Sequence, residues 1–141
     1  YTIDTFERVE AKDLPCLEDP RVQWAQLDST ADSCNKHFLN QGLKFDFIID
    51  DGLHTPEGQR LTFQRLFEFL KPQGSYYIED VWMLDKVDLN HHWIKSHPND
   101  FTMEKYNQLM SVINKHEVSH HDFSSKNVPD SYILKVKWKH T

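Results

Sequence analysis

FDFIIDDGLHTPEGQRLTFQRLFEFLKPQGSYYIEDVW, residues 45–82, is the stretch whose reading decides the fold. Phe45, Phe47, Ile48 and Ile49 form a short apolar run that stops at Asp50, Asp51 and Gly52, the pattern of a fully buried strand opening into a loop. Thr55 then offers an N-cap hydroxyl and Pro56 suits the first helical position, after which Phe63, Leu66, Phe67 and Leu70 recur at helical spacing. Lys71-Pro72-Gln73-Gly74 should break that helix, and residues 75–78 read as a second strand that ends at Glu79-Asp80. A strand–helix–strand crossover is right-handed and lays its two strands parallel in one sheet, so both acidic ends emerge at one edge. Asp50, Asp51, His54, Glu79 and Asp80 are therefore expected to converge.

Working outward, Tyr1 to Asp4 looks like the tail of a strand ending in an acid, and residues 6–17 read as a short helix. Residues 21–27 form another strand that reaches Asp28-Ser29-Thr30, and residues 31–40 form a helix with Asn40-Gln41-Gly42 as its C-cap. Downstream, residues 83–99 are polar and histidine-rich, the pattern of a loop with a short helical piece. Residues 101–116 place Tyr106, Leu109, Met110 and Ile113 on one helical face, capped at Asn99 or Asp100. Residues 117–123 and 131–138 read as strands joined by a turn over residues 124–130, a closing antiparallel hairpin. The alternation predicts an α/β domain with a mostly parallel sheet and helices on both faces.

Composition narrows the classes of function. The net charge of −6 has the wrong sign for a phosphate-backbone binder, so no nucleic-acid partner is expected. No apolar run approaches the roughly 20 residues of a membrane span, so no membrane association is expected and the reading is cytoplasmic. Cys16 and Cys34 lack CxxC spacing and read as packed side chains rather than as a disulfide, a zinc site or a nucleophile. His91, His92 and His97 lack cysteine or acid partners at zinc spacing and read as solvated groups, while His120 and His121 alternate across a strand and cannot easily bind one metal with both rings.

Strands that each end in an acid, followed by a terminal hairpin, resemble the Rossmann-like fold of S-adenosylmethionine-dependent methyltransferases. More narrowly, FDFIIDDGLHTPEGQ with YYIEDVW resembles the metal-dependent sugar O-methyltransferases of macrolide tailoring, the macrocin and mycinamicin enzymes, and their cephalosporin hydroxylase-like relatives. The detailed match covers residues 45–82, and Asp4, Asp28 and the hairpin extend it loosely. Leu53 stands where the family usually has serine. The family also places a first strand and a glycine-rich loop ahead of the strand ending in Asp4, and this chain, with four glycines and no Gly-x-Gly, shows neither. The resemblance thus implies one methyltransferase-like domain over residues 1–141, lacking the first strand and N-terminally truncated. The absent strand would lie between those ending in Asp4 and Asp51.

What the resemblance implies for the chemistry is an S-adenosylmethionine- and Mg²⁺- or Mn²⁺-dependent transfer of a methyl group to a hydroxyl of a sugar or another polyhydroxylated small molecule. Asp51, Glu79 and Asp80 are the implied metal ligands, suited as carboxylates to a hard cation, and His54 is the implied general base. By the same pattern Asp4 accepts the ribose hydroxyls, while Asp28 with Ser29 contacts the adenine. Two readings of Asp50 stand side by side, one facing the cofactor's amino group and one bonding its own loop. Trp82 is read either as a border of the cofactor or substrate or as core. The runner-up function is a non-catalytic methyltransferase-like binding or scaffold module, and whether the chain forms a homo-oligomer stays open.

Overall fold

The computed structural model describes residues 1–125 and 128–139. In chain order these hold β1 (Thr2–Asp4), β2 (Trp24–Gln26), α1 (Asp32–Gln41), β3 (Phe45–Asp50), α2 (Pro56–Leu66), β4 (Leu70–Ile78), α3 (His92–Ser96), α4 (Met103–Ile113), β5 (Glu117–Asp122) and β6 (Tyr132–Lys137). β3 and β4 pair in parallel across α2, β4 pairs antiparallel with β6, and β6 pairs antiparallel with β5, giving the order β3-β4-β6-β5. The crossover and the closing hairpin are as the sequence pattern implies. Residues 126 and 127 of the expected hairpin turn lie outside the described residues.

The core lies on one face of this sheet. Register places Ile48 beside Tyr76, Tyr76 beside Val136 and Ile78 beside Leu134, and the last four are completely buried. Cys34 and Phe38 of α1, Phe63 and Leu66 of α2, and Tyr106, Leu109 and Ile113 of α4 join them in a single apolar cluster. The helices begin and end where local chemistry dictates. Thr55 accepts a hydrogen bond from the Gly58 N–H at the start of α2, with Pro56 following it. Gly42 closes α1 in the left-handed conformation, φ 64°, donating its N–H to the Leu39 carbonyl. Thr102, rather than Asn99 or Asp100, caps α4 by accepting from the Lys105 N–H.

Three features differ from the sequence reading. Residues 6–17 contain two 3₁₀ turns, Ala11–Asp13 and Pro15–Glu18, in place of a helix, and Pro15 at the head of the second explains why no longer helix runs through. The helix that starts at Pro56 ends at Leu66 and tightens into a 3₁₀ turn, Phe67–Phe69, so that the segment containing Pro72 and Gly74 already belongs to β4. A bulge makes this tolerable. Phe45 pairs with Leu70 but Phe47 with Ser75, leaving Pro72 in the unpaired excess of β4, where no N–H is required. Gly74 is needed beside it, since a Cβ there would stand 2.7 Å from the Asp46 carbonyl oxygen and from Leu70 Cδ1.

The third difference concerns β3, whose pattern suggested burial on both sides. Ile48 and Asp50 face the core, but Phe47 and Ile49 are 67% and 64% exposed on the opposite face. Residues two apart in a strand share a face, so an unbroken apolar run cannot say which of its two faces is covered. The parallel strands do not form one continuous sheet, and the break falls where the sequence reading places its absent strand. β1 and β2 pair with each other, in register from Thr2–Trp24 to Asp4–Gln26, and among the described residues neither is hydrogen-bonded to β3.

Candidate functional site

The carboxyl ends of β3 and β4 present the chemistry. Beyond Asp50 the chain turns through Gly52 and climbs into α2, and this short excursion carries Asp51 and His54 to the place where β4 ends at Glu79-Asp80. The Glu79 N–H still donates to the Asp50 carbonyl at 3.0 Å, so the two loops leave the sheet together. His54 lies between two acids. Its Nε2 is 3.2 Å from Asp51 Oδ1 and its Nδ1 is 3.6 Å from Asp80 Oδ2. Asp51, His54 and Asp80 each place one ligand atom within 4.8 Å of the others, and they are the only such group of metal-binding side chains among the described residues.

The two carboxylates are hard oxygen donors that fit Mg²⁺ or Mn²⁺, with coordination positions left for substrate or water and the His54 imidazole standing between them. Glu79, expected as the third acidic ligand, falls outside this 4.8 Å group. Asp80 owes its place to an unusual backbone, for it sits in the left-handed region at φ 49°. For a residue with a Cβ this costs about 1–2 kcal/mol, less steeply for Asp than for most.

Asp50 plays a different part from its neighbour. It is 5% exposed, accepts from the Gly52 N–H at 3.2 Å and receives the Tyr76 hydroxyl at 3.5 Å. Burial raises its pKa to about 7 against the smaller opposing effect of those hydrogen bonds. Burial likewise drives the Tyr76 hydroxyl well above its ordinary range and the Cys34 thiol up to about 11, which leaves that thiol protonated and unreactive. Of the two sequence readings of Asp50, its hydrogen bonds are those of an acid bonding its own loop.

Of the other expected cofactor-binding residues, Asp4 ends β1, and Asp28 and Ser29 follow β2. Asp4 Oδ1 accepts from the Phe6 N–H, and Asp28 Oδ1 accepts from the Thr30 N–H and hydroxyl, so each carboxylate braces a turn through Oδ1 and has no partner for Oδ2 among the described residues. Exposed carboxylate oxygens at strand ends fit a ribose or an adenine amino group as acceptors. Ser29 hydrogen-bonds Thr62 of α2 at 2.9 Å, and a Cβ on Gly52 would come within 3.7 Å of Ser29 Oγ and 3.2 Å of Asp50 Oδ1. The Asp28–Ser29 loop and the Asp50–Gly52 loop therefore abut.

Trp82 is 4% exposed, packed edge-on to Phe101 and tilted against His91, so it belongs to the core. Two of the histidines read as solvated have structural partners, since His91 Nδ1 caps α3 at the Trp93 N–H and His97 packs on Trp93. Gln59 was not anticipated. It occupies the inward stripe of α2 with Thr62, Phe63 and Leu66, and a glutamine at a core position of an amphipathic helix is the signal that marked it.

No family model matches the chain. In sequence it is 32% identical over 74 residues to demethylmacrocin O-methyltransferase of Streptomyces fradiae, a match that covers 52% of this chain and 19% of that protein. It is 47% identical over 38 residues to mycinamicin VI 2''-O-methyltransferase of Micromonospora griseorubida, covering 27% of this chain and 10% of the relative. The chain thus spans under a fifth of the length of these relatives. Among solved structures, the MycE methyltransferase of the mycinamycin biosynthetic pathway, in complex with Mg, SAH and mycinamycin VI, superposes with a TM-score of 0.55 at 20% identity, over 89% of this chain and 34% of that one. The chain therefore carries the Rossmann-like methyltransferase fold, and the relatives it matches in sequence are the macrocin and mycinamicin O-methyltransferases.

Proposed function

We propose that this chain serves S-adenosylmethionine- and Mg²⁺-dependent O-methylation of a hydroxyl on a sugar or other polyhydroxylated small molecule. The observation that carries the reading is the meeting of Asp51, His54 and Asp80 at the ends of two parallel strands, with the Ser29 loop that follows β2 lying against Gly52. Bound S-adenosylmethionine supplies an electrophilic methyl group, and a bound divalent ion lowers the pKa of the attacking hydroxyl. Asp51 and Asp80 would hold the ion, with Glu79 next in the chain to complete the acidic set. His54 removes the hydroxyl proton through one ring nitrogen while a carboxylate orients the other. Asp4, Asp28 and Ser29 bind the nucleoside end. In the same reading the domain is a single methyltransferase-like unit whose sheet takes a further strand between β1 and β3, which is supported by the break between the two sheets.

Methyl transfer from labelled S-adenosylmethionine to a panel of sugars and glycosides, with and without chelator, tests this. Transfer is expected to vanish in excess EDTA and return with Mg²⁺, and an Asp51→Asn variant should need more metal rather than more S-adenosylmethionine. Full transfer in EDTA would remove the metal from the mechanism. A protein that binds neither Mn²⁺ nor S-adenosylmethionine by calorimetry would be a scaffold with this fold.

A further inference from the structure

The two acidic loops come from different strands, yet their side chains meet. Something must fix one loop relative to the other, and the first turn of α2 touches both. Gly58 lies against the loop of Asp51 and His54 so closely that a Cβ would stand 2.6 Å from Leu53 Cβ and 3.2 Å from the Leu53 carbonyl oxygen. Gln59, the next residue, reaches the other loop. Its Nε2 donates to the Glu79 carbonyl at 2.9 Å and approaches the Asp80 carbonyl at 3.4 Å. These two carbonyls flank the left-handed Asp80, whose carboxylate faces His54.

We propose that Gln59 is a positioning residue that sets the Asp80 carboxylate against Asp51 and His54, and so tunes metal affinity, while contributing little to the stability of the fold. The side chain is 2% exposed and its Oε1 has no hydrogen-bond partner among the described residues. A buried amide that satisfies only its donor half is a poor choice for core packing, where an apolar side chain of the same length costs less. What it provides is direction. A left-handed backbone at a non-glycine residue persists where surrounding contacts over-determine it, and Gln59 grips the peptide groups on both sides of Asp80. Glycine at 58 and glutamine at 59 then act as adjacent teeth of one helix turn, the first admitting the His54 loop and the second holding the Asp80 loop. Partners of this outer kind change metal affinity by about 10–100-fold when removed.

The inference rests on the metal reading, so its test carries a metal-free arm. Gln59→Leu and Gln59→Met keep the side-chain volume and delete both polar atoms. Mn²⁺ titration followed by electron paramagnetic resonance should show affinity lowered by about 10-fold or more in either variant, with the melting temperature in EDTA within a few degrees of wild type. Amide exchange in EDTA should speed up over residues 80–82 and stay unchanged elsewhere. Combining Gln59→Leu with Asp80→Asn should weaken Mn²⁺ binding no further than Asp80→Asn alone, since the glutamine acts through that carboxylate. Unchanged exchange over residues 80–82 overturns the proposal, as do additive effects in the double variant. So does unfolding of both Gln59 variants, which would make the residue part of the core. A wild-type protein that takes up no Mn²⁺ defeats the metal reading alone, and the exchange arm still decides the role of Gln59.

Discussion

Replacing His54 with alanine should lower the rate of methyl transfer by about 10²–10⁴-fold while leaving the affinity for S-adenosylmethionine within a few-fold of wild type. The imidazole is the one nitrogen base in the group it forms with Asp51 and Asp80, and both ring nitrogens lie within 3.6 Å of a carboxylate oxygen. A carboxylate on one nitrogen fixes the ring and stabilises the charge it acquires when the other takes a proton. An alcohol is a poor nucleophile at neutral pH, so the loss falls on the transition state. The acids at β1 and after β2 that would hold the nucleoside are untouched. Single-turnover rates and calorimetric titration of S-adenosylmethionine separate the two quantities. A variant with wild-type turnover at neutral pH would take His54 out of the reaction, and one with equally weakened cofactor binding would make it a structural residue of the loop.

Asp50→Asn should stabilise the protein above neutral pH, and the gain should disappear in acid. The buried carboxyl has its pKa raised from 3.8 to about 7 in the folded state, chiefly by desolvation. The folded state therefore holds this proton over a range where the unfolded chain has lost it. The resulting contribution is fully present below pH 4, declines as pH rises, and is gone above pH 7, an overall cost of about 4 kcal/mol at 1.36 kcal/mol per unit. Asparagine keeps an acceptor for the Gly52 N–H and can donate to the Tyr76 hydroxyl oxygen, but carries no charge to bury. His116 and His120, both depressed mainly by burial, act in the opposite sense, since their contribution is present above the ordinary histidine pKa and lost as pH falls. The difference between variant and wild type isolates Asp50 from them. Urea unfolding at about pH 3.5 and pH 8 in chelator should show the two proteins converging at the lower pH and the variant more stable by up to ~4 kcal/mol at the higher. Equal stabilities at pH 8 would mean the carboxylate is better solvated than its burial indicates.

Where local rules act alone, sequence and structure agree. The Thr55 cap, the Gly42 stop, the parallel pairing across α2 and the closing hairpin each follow from a few neighbouring residues. The departures arise where a tertiary neighbour decides. Pro72 and Gly74 read as a turn, because only the register against β3 reveals a bulge that accommodates both. Phe47 and Ile49 read as core, because an apolar run does not disclose how many of its faces are covered. For the site, the convergence of Asp51, His54 and Asp80 follows from strand order, but the exclusion of Glu79 from the group depends on the backbone twist at Asp80, which no spacing encodes. Gln59 declared itself only as a polar residue on an inward stripe, and its partners are backbone carbonyls that any sequence would supply.

The bulge that opens β4 gives this strand slack at its base. Between Phe45 and Phe47 the opposing strand advances from Leu70 to Ser75, and the excess lies at the exposed residues Lys71, Pro72 and Gln73. Chain length can change there without transmission to the far end, because pairing resumes afresh at Phe47–Ser75 and runs undisturbed to Asp50–Ile78. A residue inserted after Gly74 has no such outlet. It would turn Tyr76 and Ile78 out of the core and carry Glu79 and Asp80 past their partners by one position. Insertions and labels therefore belong before Gly74, and the four paired residues beyond it form the ruler that measures the distance to the acids.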